Sequence, residues 1–202
     1  MAASPQAPGP ATADAAPPRT PLLRLAVVAY GLLAAIAFAW NGWAGRPWAY
    51  LDASAAARGV DWSRDLALGL AAAAAVIAVS HVLTTRTRWG AALADELAHA
   101  LGPLALFECA ALAALSGFAE EVFFRGALQP RLGWLGASAV FGLAHFAPRR
   151  ALWPWTGFAL AAGLLLGALF AKTGNLAAPI AAHAAINAVN LRLLTRNQPA
   201  RR

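Results

Sequence analysis

Apolar residues along this chain gather into six stretches, near 23–42, 66–84, 98–117, 134–147, 153–171 and 176–194. None shows the period-two alternation of a half-buried strand, and no heptad or internal repeat runs through them. Most approach the roughly 20 apolar residues, in a range of about 17–25, that carry a helix across a bilayer. The pattern predicts an all-α fold, a polytopic membrane helix bundle of about six transmembrane helices. The fourth stretch is short, so it is expected to tilt or to draw on its flanks. Trp40, Trp43, Trp48, Trp62, Trp89, Trp134, Trp153 and Trp155 fall near the predicted ends. An amphipathic ring suits the headgroup layer there, and stacking on a ligand is the weaker reading.

Residues 1–21 are rich in Pro and Ala and poor in large apolar side chains. Such a segment buries too little surface to fold, so a disordered N-terminal tail is expected. It is longer than the short basic region that opens a signal peptide, which favours an uncleaved first membrane helix. Residues 197–202 form a basic tail.

Composition strengthens the membrane reading. The chain has 202 residues, of which 60% are hydrophobic and 12% charged. A soluble domain carries about 25% charged residues. The net charge of +7 comes from arginines between apolar runs, with no basic patch interleaved with aromatics, so no nucleic-acid partner is expected. With the N-terminus inside and six crossings, ten Lys and Arg fall inside and six outside, Arg125 among the outer six. Asp52, Asp61 and Asp65 offset the arginines of the first outer loop. This agrees with the positive-inside rule and puts both termini in the cytoplasm. The one cysteine, Cys109, forms no intrachain disulfide, and no CxxC zinc site exists.

Ionisable groups inside membrane helices cost about 2.5–3.5 kcal/mol each by insertion scales, and they face protein or a wet cavity. Glu120, Glu121, His145, His183 and Asn187 are the candidates. Glu121 and Arg125 are spaced i,i+4 with the acid first, the favourable order for an ion pair on one helix face. Glu120 points about 100° away and has no such local partner. Glu121–Arg125 therefore reads as structural, and Glu120 as the free carboxylate. The bland alternative is two interfacial acids closing a helix end. His145 ends the fourth stretch, with Phe141 one turn earlier on the same face. His183 and Asn187 share a face of the last stretch and can donate hydrogen bonds to a developing oxyanion. An interhelical polar clamp is the alternative for that pair. Together a carboxylate, two imidazoles and an amide can activate water for amide hydrolysis, with Glu120 as general base. Glu120, His145 and His183 equally make a zinc set with an open position. Spacing does not choose between a zinc cofactor and metal-free chemistry. Glu108 reads as a hydrogen-bonding residue inside the third stretch, Asp95 and His99 as an interfacial pair, and Lys172 and Asn175 as part of a turn.

Three motifs in order, Glu120-Glu121-Val-Phe-Phe-Arg125-Gly126, Phe141 to His145, and His183 to Asn187, resemble the CPBP family of CAAX prenyl protease and bacteriocin-processing intramembrane endopeptidases. The resemblance implies an intramembrane endopeptidase, of glutamic or metalloprotease type, in a bacterial inner membrane. Its partners would be the lipid bilayer and a membrane-tethered protein or peptide substrate. It implies that Glu120 and His145 activate water, His183 and Asn187 stabilise the oxyanion, and Glu121 and Arg125 support them. The chain then divides into the tail 1–21, N-terminal membrane helices 22–97, a CPBP-like catalytic core 98–196 and the basic tail 197–202. The assumed topology puts the Glu pair nearer the outer side, suiting an exported substrate. Members of the family often have about eight membrane helices, against about six here. Two other readings stand beside the enzyme: a non-catalytic immunity or scaffold protein, and a small proton-coupled transporter.

Overall fold

The computed structural model describes residues 21–196. The two predicted tails, apart from Pro21, lie outside the described residues. The fold is all-helical: α1 (Pro21–Trp43), α2 (Ala53–Arg58), α3 (Trp62–Arg86), α4 (Arg88–Leu101), α5 (Leu106–Glu121), a π-helical turn (Val122–Leu128), α6 (Gln129–Ala144), a 3-10 turn (Arg150–Leu152), α7 (Trp153–Thr173) and α8 (Ala177–Thr195). Among the described residues three helical segments are long and apolar enough to cross a membrane: Leu22–Trp43, Trp62–Arg86 and Arg150–Thr173. A fourth span is counted if Arg88–Leu101 and Leu106–Ala144, bent by 100°, are taken as one. The protein is an integral, polytopic helical membrane protein.

The third apolar stretch is not one helix. Gly102, at φ 71°, closes α4, and Pro103 follows before α5 begins at Leu106. A left-handed glycine and a proline together stop a helix whatever its hydropathy. Glu108 consequently lies in the first turn of α5, where its carboxylate accepts from Ala105 N at 2.8 Å. It caps that helix, and does not act inside the bundle as the sequence suggested.

The decisive bend is at Gly133, where φ is 73° inside α6. Side chains on the two sides pair in antiparallel order: Phe124 with Phe141, ring centroids 4.9 Å apart, and Glu120 with His145. The leg after Gly133 therefore folds back along the leg before it. That return explains the short fourth stretch.

α7 packs against both legs. Arg125 and Gln129, one turn apart, donate to the carbonyls of Gly163 and Gly167, also one turn apart, at 3.1 and 2.9 Å. Glycines without side chains let a neighbouring helix come this close. α8 runs between α3 and α5. Gly126 has a different neighbour: a Cβ there would strike the Trp48 carbonyl oxygen.

One end of the bundle is knotted by polar contacts. Leu51 N and Leu176 N bond to Gly174 O and Ala49 O, at 2.9 and 3.0 Å. Asn175 Nδ2 donates to Asp65 at 2.7 Å, and Asp65 is buried. Arg131 donates to Asn41 at 2.9 Å and lies over the Trp40 ring, 4.2 Å from its centroid. Lys172 and Asn175 do fall at the α7–α8 turn, closed by Gly174 at φ 75°. Two of the charges assigned to outer loops are thus not loop charges. Asp65 is buried on Asn175, and Arg125 is only 1% exposed, between α5 and α7. At the opposite end Arg149 pairs with Glu96 at 3.3 Å, and Cys109 meets Thr195 at 3.7 Å.

Candidate active site

The Gly133 hairpin brings Glu120 and His145 together. His145 Nε2 lies 3.8 Å from Glu120 Oε2. That is too long for a direct hydrogen bond and short enough for one water to touch both atoms. Glu120 Oε2 is buried and has no hydrogen-bond partner. His145 Nδ1 is 2.8 Å from Phe141 O. A carbonyl only accepts, so Nδ1 carries a proton and Nε2 is the atom turned to Glu120. The His145 ring sits between Phe141 at 4.6 Å and Trp155 at 5.8 Å, centroid to centroid.

Glu121 points elsewhere. Its Oε1 accepts from Arg125 Nη1 at 3.0 Å and faces His183 Nδ1 at 2.7 Å. Arg125 also lies over Phe141, 4.5 Å from the ring centroid. Glu121 and Arg125 are 0% and 1% exposed, so each buried charge depends on the other for compensation. The π-helical turn that follows Glu121 carries Arg125 and Gly126. Such widened turns are frequent at functional sites.

Asn187 Nδ2 donates to Ser116 Oγ at 2.9 Å, and Ser116 donates to Ala113 O at 3.3 Å. One of the two Asn187 N–H groups is thereby committed to the bundle. Glu120, His145, His183 and Asn187 all line one cavity of about 490 Å³. Its remaining walls are mostly apolar: Leu22, Leu25 and Ala26 of α1, Leu97 and Leu101 of α4, Leu191 and Leu194 of α8. Those residues belong to the end of the bundle that holds Arg24, Arg88, Arg149 and Arg192. The cavity therefore extends from the Glu pair towards the arginine-rich end of the bundle.

The zinc set that spacing left open is not gathered: among the described residues no three His, Cys, Asp or Glu side chains group as metal ligands. In this arrangement the residues do not fit a zinc ion. Two further polar groups escaped the sequence reading. Tyr30 of α1 lines the cavity beside Glu120. Ser116 holds Asn187. Neither belongs to a motif, and each is visible only once helices are packed. Trp155, read as a headgroup anchor, is a wall of the cavity. His99 bonds to the main-chain carbonyl of Asp95 at 2.7 Å.

Fold and site together define a polytopic helical membrane protein with a carboxylate–histidine pocket inside the bundle. Residues 102–189 match the family model described as type II CAAX prenyl endopeptidase Rce1-like. All three motifs lie inside that segment, so the resemblance drawn from them is shown there, over less than half of the chain. The uncharacterized protein YpbD of Bacillus subtilis (strain 168) is 44% identical over 80 residues, 39% of this chain and 41% of that protein. The matching stretch thus spans less than half the length of the curated relative. No solved structure matches.

Proposed function

We propose that the protein is a CAAX-type intramembrane endopeptidase that hydrolyses a peptide bond of a membrane-associated protein or peptide. The observation that carries this reading is the Glu120–His145 pair, 3.8 Å apart, with Glu120 Oε2 unpartnered beside a cavity. A water between them gives its proton to Glu120 while its oxygen attacks the scissile carbonyl carbon. The tetrahedral oxyanion meets the remaining N–H of Asn187 and Nε2 of His183. With Nδ1 bonded to Glu121, His183 donates through Nε2 when its ring carries both protons. Collapse breaks the C–N bond, and Glu120 returns the proton to the leaving amine. Glu121 and Arg125 hold His183 and the hairpin in place. No step here passes through a metal.

The apolar walls suit apolar substrate side chains beside the scissile bond. We place the chain in a bacterial inner membrane with both termini cytoplasmic, on the arginine asymmetry. Under that orientation the cavity extends towards the cytoplasmic end.

The test uses the purified chain and its Glu120→Ala, His145→Ala and His183→Ala variants, each with and without chelator. Each is incubated with membrane proteins of the same source, and newly formed termini are identified by mass spectrometry. New termini with the wild type, lost in all three variants, support the pocket. Termini that persist in Glu120→Ala overturn it. Loss on chelation would assign a metal-dependent mechanism in place of the one above.

A further inference from the structure

α5 and α8 meet in antiparallel order along one seam: Glu121 with His183, Ser116 with Asn187 and Cys109 with Thr195, at 2.7, 2.9 and 3.7 Å. Gly117 lets the two backbones close up, since a Cβ there would lie 2.9 Å from Ala184 N. Ser116 is 5% exposed and lines the cavity with His183 and Asn187. Its hydroxyl donates to Ala113 O at 3.3 Å. A carbonyl oxygen only accepts, so the hydroxyl proton is committed there and the serine oxygen is left as an acceptor. Asn187 therefore meets Ser116 through Nδ2, at 2.9 Å. The two ends of a carboxamide are nearly alike in size and shape, so packing alone does not choose between them. The hydrogen-bond partner does.

We propose that Ser116 is a positioning residue: by accepting one N–H of Asn187 it fixes which end of the carboxamide faces the reaction and keeps the second N–H available to the oxyanion. Turned by half a rotation, the amide would set its own carbonyl oxygen against the developing negative charge, which repels it. The proposal rests on the reading of Asn187 as an oxyanion donor, but its central contact is separable from that reading. Ser116 belongs to none of the three motifs and lies one turn before Glu120 on α5. The helix that supplies the base thus also orients a donor carried by α8.

The test has two readouts on the full chain in detergent micelles. The first is the side-chain amide signal of Asn187, with asparagine labelled by ¹⁵N and the signal assigned by its loss in Asn187→Ala. Ser116→Ala is expected to move that signal by more than its linewidth and to leave those of Asn41 and Asn175 in place. The second is the initial rate at which new termini form in the assay of membrane proteins above. Asn187→Ala is expected to slow it about 10²-fold, the usual loss for one oxyanion donor. Ser116→Ala is expected to slow it about tenfold in the wild-type background, the scale of one hydrogen bond. In the Asn187→Ala background Ser116→Ala should slow it no further, because its effect passes through Asn187. A merely structural serine would slow both backgrounds alike, and that result overturns the proposal. So does an Asn187 signal indifferent to Ser116→Ala, or a wild-type rate in Ser116→Ala or in Asn187→Ala. A signal that moves in a chain whose wild type trims nothing removes the protease reading and still supports Ser116 as the group that orients Asn187.

Discussion

His183 Nδ1 and Arg125 Nη1 converge on a single oxygen, Oε1 of Glu121, at 2.7 and 3.0 Å. One buried carboxylate thereby ties the α8 histidine to the π-helical turn and, through Arg125 Nη2, to the Gly163 carbonyl of α7. Adjacent Glu120 is left to His145 and the cavity. Two neighbouring acids of one helix are separated into a brace and an available group by the direction in which each side chain leaves the helix.

The brace is expected to dominate stability. Arg125→Met leaves Glu121 buried without its cation, and removing one partner of a buried pair costs about 3–5 kcal/mol. Arg125→Lys keeps the charge and loses the fork that reaches both Glu121 and Gly163, as well as the planar contact with Phe141. It should lose about 1.5–3 kcal/mol, the scale of a hydrogen bond to a charged group. Denaturation in detergent micelles, followed by helical circular dichroism, should rank wild type above Lys above Met.

Glu120 should behave in the opposite way. Glu120→Gln removes an acid whose Oε2 bonds to nothing, so the thermal midpoint should hold or rise. Hydrolysis, followed as newly formed termini, should fall by about 10²–10⁴-fold, the usual contribution of a general base. Lost stability with retained cleavage would reverse the two assignments.

The glycine after Arg125 is required by packing. Gly126→Ala puts a methyl against the Trp48 carbonyl, a backbone atom that moves only with its segment, and should destabilise by about 1–3 kcal/mol. Gly157→Ala on α7 meets nothing within 4 Å. It should gain about 0.5–1 kcal/mol from helix propensity. The two midpoints, measured in parallel, should move in opposite directions.

Two helix caps should respond to acid. Asp52 accepts from Ala55 N and Ser54 Oγ, and Asp61 from Arg64 N and Ser63 Oγ. These bonds, the backbone one foremost, hold both carboxyls below the ordinary aspartate value. A depressed folded-state value means that the contribution is present in full above the unfolded value, about 3.9, and is lost as pH falls through the lower folded one. Amide exchange at Ala55 and Arg64 should therefore lose protection below about pH 4, with the expected slowing of exchange in acid taken into account. Asp52→Asn and Asp61→Asn should flatten that dependence at the respective amide.

Hydropathy alone determined that this chain is helical and crosses a membrane, because the bilayer demands long apolar runs and internal backbone bonding. Spacing alone determined that Glu121 and Arg125 share a face, because an i,i+4 pair is set by local helix geometry. The break at Gly102 and Pro103 was written in the sequence but masked by the apolar residues on either side. Only the tertiary structure decided that Glu120 meets His145, that His183 turns to Glu121, that Tyr30 reaches in from α1, and that the cavity extends towards the arginine-rich end. Those contacts follow from a reversal at Gly133 and from the packing of α1, α7 and α8, which depend on residues far apart along the chain and leave no local periodicity to read.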